Sequence, residues 1–174
     1  RRDAGIRSID WPTYCVSGGR LHDSFMRWRA DMITDAVQAV RDSLSKINRI
    51  VLLSVAGTPR EQEMRYFSQP WDVWLRSGIV DFVVPMNYTE SDSEFVYWGE
   101  QQLEMAEGRS ISCGIGSFST RSTLTLSETE HQEALAEEMG FDGWVIFHLS
   151  GIFIERLRET AQSRDCRPHS IRSQ

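Results

Sequence analysis

The chain has 174 residues, 40% hydrophobic and 25% charged, the balance of one globular domain with a real core. A formal charge of −6 and a pI near 5.2 argue against the basic surface that nucleic acid or an anionic membrane requires. No apolar run approaches the roughly 20 residues of a membrane-spanning helix, so no transmembrane segment is expected, and the first ten residues hold no signal-peptide core.

In chain order, two periodicities alternate. "GIRSI" (5–9) is a short apolar run ending at Asp10. Asp23 or Ser24 is placed to cap a long helix through about Ile47, with Phe25, Trp28, Met32, Ile33, Ala36, Val37, Val40 and Leu44 at helical spacing. "RIVLLSVA" (49–56) predicts a second strand ending at Gly57, and Pro70 opens the helix "WDVWLRSG", closed by Gly78. "IVDFVVPM" (79–86) is the third strand, followed by a helix over 93–107 and Gly108. "SISCGIG" (110–116) is the fourth, and Ser127 with Glu130 reads as a capping box before "HQEALAEEMG". "GWVIFHL" (143–149) is the fifth, with a last helix from Ile152 to about Gln162. Strands this apolar suit a parallel sheet covered by helices.

The strand ends near residues 10, 56, 86, 116 and 149 repeat at about the interval of a (β/α)8 barrel, in which eight units take ~250 residues. The expectation is α/β, of TIM-barrel type, with about five β/α units in residues 1–162 and an arginine-rich, solvated tail over 163–174. An open doubly wound sheet is the alternative. No GxGxxG or GxxxxGK[ST] follows the first strand, so nucleotide binding loses its usual support. Cys15, Cys113 and Cys166 show no metal spacing and read as three unrelated thiols, with one disulfide plus a free thiol as the alternative. No cofactor and no metal are expected.

In either architecture the working face lies at the carboxyl ends of the strands. They deliver Asp10, then Trp11 and Tyr14; Ser54, then Thr58, Arg60, Glu61 and Glu63; Asn87 and Tyr88, then Glu90 and Asp92; Ser117, Phe118 and Ser119; and His148. Carboxylates, an amide, a phenol and aromatics without lysine suit a neutral polyhydroxylated ligand, since sugars need polar partners for hydroxyls and aromatic faces for their C–H patches. Cleaving a glycosidic bond needs two carboxyl groups. Each residue has a plainer role open to it: Asp10 could cap the turn before Pro12, Tyr88 could pack on a neighbouring loop, and His148 could be a core histidine. Trp28, Trp71 and Trp74 lie in helices and read as packing residues, and Trp11 and Tyr14 fall in a loop, where they could stack on a sugar.

"GIRSIDWP", "WRADMITDAVQAV", "QPWDVWLRSGIVDFVVPMNY", "GIGSF" and "GFDGWVIFHLS" resemble segments of the glycosyl hydrolase-like-10 family of bacterial (β/α)8 proteins, over most of residues 3–155. The third is the most specific match. The resemblance implies strands four to eight of that barrel and hydrolysis of O-glycosidic bonds in a bacterial polysaccharide or peptidoglycan-type glycan. It also implies an exported or envelope-associated protein and a preceding barrel half that packs on both open sheet edges. Asp10 would take the family's strand-four aspartate as nucleophile or general base, with Glu61 or Glu90 as its partner. Asn87 and Tyr88, with His148, would hold sugar hydroxyls, and Trp11 and Tyr14 would stack on rings. A non-catalytic carbohydrate-binding barrel is the other expectation, because no later strand end carries an unambiguous second acid.

Overall fold

The computed structural model describes residues 11–16, 18–47, 51–148 and 154, and of Trp11 and Pro12 the backbone alone. The strand expected at 5–9, Asp10, nearly all of the last helix, Cys166 and the tail lie outside these residues. The described elements are α1 (Trp11–Cys15), α2 (His22–Ser45), β1 (Ser54–Gly57), α3 (Glu61–Phe67), α4 (Trp71–Arg76), β2 (Phe82–Asn87), α5 (Asp92–Ala106), β3 (Cys113–Gly116), α6 (Leu126–Met139) and β4 (Trp144–Phe147).

Four of the five expected strands fall among the described residues, and each begins later than its apolar run. The N–H groups of Ile79 and Val80 both donate to Trp74 O, at 2.9 and 3.3 Å, so the first residues of that run close α4 rather than join the ladder. Two helices, α1 and α3, were not expected, and Trp11 and Tyr14 therefore lie in a helix rather than a loop. The capping box falls two residues earlier than expected. Thr125 Oγ1 accepts the Glu128 N–H, and Glu128 returns its carboxylate to the Thr125 N–H at 2.7 Å. Leu21 precedes α2 without a side-chain cap, and Asp23 stands in the first turn, where its charge meets the positive helix end.

The four strands are parallel and lie in the order β1-β2-β3-β4. A sequential order without reversal sends every right-handed crossover the same way, so all the covering helices fall on one face. Burial agrees: along β2, Val83, Pro85 and Asn87 are buried, while Phe82, Val84 and Met86 are not. Trp71, Phe95, Ile115 and Val80 fill the helix side. On the other face, register aligns Met86 with Gly114 and Val145. Beside Val145, Phe147 is also left open, the two being 49% and 47% exposed. Trp71 and Trp74 are buried as expected, but Trp28 is 53% exposed and stacks on Phe25.

At the amino ends of the strands, two aspartates act alike. Asp81 donates its N–H to Leu53 O (2.8 Å), and its carboxylate accepts the Leu53 N–H (2.6 Å) and Arg41 Nη2 (2.6 Å). Asp142 exchanges the same pair of bonds with Ile111. The Leu53 N–H first, then Arg41 against the opposing effect of burial, hold the Asp81 carboxyl below its ordinary value. Its stabilising effect is therefore complete above the ordinary carboxylate range and lost as pH falls through the lower folded value. Asp81→Ala should cost about 1–2 kcal/mol at neutral pH, with the gap to wild type narrowing below pH ~4; urea melts across pH measure both.

Candidate strand-end site

The residues at the carboxyl ends separate into a buried support and an exposed face. Asn87 belongs to the support, not to a sugar-facing surface. It has 0% exposure, and its amide donates to Gln102 Oε1 (3.0 Å) and Cys113 Sγ (3.2 Å) while accepting from Gln102 Nε2 (2.7 Å). Gln102 also donates to Pro59 O at 2.8 Å. Each N–H and carbonyl of the two amides therefore has a partner. Burial pushes the Cys113 thiol up to about 12, against the bond from Asn87, so it stays neutral.

One residue on, Tyr88 points the other way, as strand alternation requires. Gly116 lets its ring cross β3: a Cβ there would stand 2.7 Å from Tyr88 Cγ and 2.5 Å from Ser122 Oγ. The ring reaches Phe147 on the far strand, with centroids 5.4 Å apart and planes at 19°. His148 and Phe118 extend the platform, their rings edge-on at 5.7 Å, and His148 Nδ1 lies 3.1 Å from Phe118 O. Phe118 is 55% exposed, and His148 is an exposed strand-end residue rather than a core histidine. Burial raises the Tyr88 phenol above its ordinary value, keeping it a neutral hydrogen-bond donor.

The two candidate glutamates lie apart from each other. Glu61 is exposed, pairs with Arg65 at 2.5 Å and lines a groove of about 1450 Å³ between α2 and α3. Glu90 accepts the Thr123 N–H at 2.8 Å and edges a cleft of about 260 Å³ with Asp92 and His131. Tyr14 sits in α1 with the Arg20 guanidinium 4.8 Å over its ring. The carboxylate carried into the strand-end cluster is Glu63, two positions along α3 and some 200° around the helix from Glu61. Its Oε1 accepts from Arg60 and, at 3.1 Å, from Arg121 of the loop after β3. Burial opposes its ionisation, but the two guanidiniums outweigh it and hold the carboxyl below its ordinary value. Arg60 also lies 5.6 Å over the Trp98 ring. Reading strand ends alone missed Phe147 and Arg121. The Gly116 gap beside Tyr88 and the register β2-β3-β4 are the signals that would have found Phe147.

Among the described residues, no group of three or more His, Cys, Asp or Glu is arranged to hold a metal ion, and no helix is long and apolar enough to cross a membrane. No family model matches the chain, and no curated protein matches it.

Asn87→Ala should cost about 2–4 kcal/mol, because it strands the Gln102 amide inside the protein. Denaturant melts measure this; a change under 0.5 kcal/mol would mean that the buried amide pair does not depend on Asn87.

Proposed function

We propose that the protein is glycoside hydrolase-like, taking a carbohydrate polymer across the carboxyl ends of a (β/α)8-type barrel and hydrolysing its O-glycosidic bonds. The observation that carries the reading is the platform formed by half-buried Tyr88 with exposed Phe147, Phe118 and His148 at the strand ends. Aromatic faces bordered by a neutral phenol suit the C–H patches and hydroxyls of a sugar ring. The sequential parallel sheet with helices on one face is consistent with barrel closure. The resemblance of "QPWDVWLRSGIVDFVVPMNY" to the glycosyl hydrolase-like-10 family supports a bacterial glycan as substrate and an exported or envelope location.

In this reading Asp10 is the nucleophile or general base. Glu90 is the better-placed second acid, since Glu61 is turned into the helical groove and paired with Arg65. Glu63, held ionised between two arginines that already offset its charge, is not a proton donor. That same clamped carboxylate favours the second reading, a glycan-binding barrel without catalysis.

On a glycan that the wild type cleaves, Asp10→Asn should lower kcat by about 10²–10⁴-fold with the melting temperature kept. Phe147→Ala should raise KM with a smaller effect on kcat. Undiminished hydrolysis by Asp10→Asn would remove the catalytic assignment. Binding of glycans that depends on Phe147, without release of reducing ends, would establish the second reading.

A further inference from the structure

We propose that Arg60 and Arg121 form a subsite for a carboxylate carried by the sugar, so that the preferred glycan is acidic. The inference rests on the glycan reading of the strand-end face and adds its charge class. The two guanidiniums come from different loops, after β1 and after β3, and converge on Glu63. The side chain of Glu63 is only 11% exposed, whereas those of Arg60 and Arg121 are 46% and 50% exposed. One carboxylate offsets one of the two charges and fixes both forks, leaving a net positive charge with solvent-facing N–H groups. Glu90, the other carboxylate near this loop, is engaged with the Thr123 N–H.

Both arginines are held in place. The Trp98 ring lies beneath Arg60. The loop that carries Arg121 is tied by Ser119: its N–H donates to Ser122 O (2.8 Å), and its Oγ accepts the N–H groups of Arg121 (3.1 Å) and Ser122 (3.0 Å). Ser122 Oγ in turn donates to Gly116 O, beneath the Tyr88 ring, so the cationic pair borders the aromatic platform. Arginine forks match planar carboxylates in a bidentate way. A sugar ring on the platform with its carboxylate at the arginines would use both features at once. The carboxylate could be the ring carboxylate of a uronic acid or one attached through an ether.

The test follows the arginine Nε–H signals of the full protein by NMR, at constant ionic strength, during titration with D-glucuronate, 3-O-carboxymethyl-D-glucose or methyl glucoside, the second carrying its carboxylate through an ether. Arg60 and Arg121 should shift with the two acids and not with the neutral sugar, and the acid with the larger response identifies the carboxylate source. Arg121→Gln should weaken binding of the preferred acid about tenfold or more, and Arg121→Lys, which keeps charge but loses the fork, should fall between. No shift beyond a sodium chloride control in the wild type would overturn the subsite, as would equal affinities in all three proteins. Neutral-sugar binding dependent on Phe147 alone would keep the glycan reading and overturn the anion subsite. Equal responses to acetate and glucuronate, with no effect of Phe147→Ala, would support an anion site and overturn the glycan reading.

Discussion

Two amide side chains, Asn87 at the last position of β2 and Gln102 in α5, exchange hydrogen bonds out of reach of solvent, and the strand-end face is assembled around them. Through its second N–H, Gln102 holds Pro59 O and so fixes the loop that presents Arg60. Through its own second N–H, Asn87 reaches Cys113 at the start of β3. Tyr88 follows Asn87 directly, so the plane in which its ring crosses Gly116 is set by a neighbour locked from three sides. A buried polar network is costly when half satisfied and specific when complete. Here it is complete, and it ties the orientation of the aromatic platform to that of the cationic pair.

The second constraint is topological. Sequential parallel strands place α3 to α6 on one side, and the opposite side is left with Val84, Met86, Val145 and Phe147. The chain solves the entry of its strands with a repeated device: a glycine at positive φ ends the helix, a buried apolar residue follows, and an aspartate pairs with the neighbouring strand. Gly78, Val80 and Asp81 do this before β2, and Gly140, Phe141 and Asp142 before β4. The amino ends are thereby fastened by backbone-to-carboxylate bonds, and the carboxyl ends take no part in that fastening.

Much of this organisation was legible in the residues. The apolar runs located the strands, and Gly78, Gly108 and Gly140 located the helix ends, because these signals are local. The boundaries shifted where tertiary bonds compete with the ladder, as at Ile79 and Val80. The short helices α1 and α3 lack an apolar period long enough to read. Asn87 was misread for a physical reason: a strand-end amide looks the same whether it faces a ligand or a partner amide, and Gln102 lies far along the chain. Phe147 and Arg121 became site residues only through register and loop closure, which no single stretch encodes.

Helical geometry decides which carboxylates share an environment. Glu61 and Glu63 are neighbours in sequence, yet one lies against Arg65 in the groove beside α2 and the other between Arg60 and Arg121. Glu63 is held charged by two guanidiniums against the opposing effect of burial, so the cluster carries one fixed negative and two fixed positive charges. Such a cluster sets local potential without exchanging protons near neutral pH. Under the proposed hydrolytic reading, proton transfer on this face falls to a carboxyl without an arginine clamp. Glu90, which accepts a backbone N–H at the rim of β2, meets that condition, and it stands two residues beyond the tyrosine that a bound ring would contact.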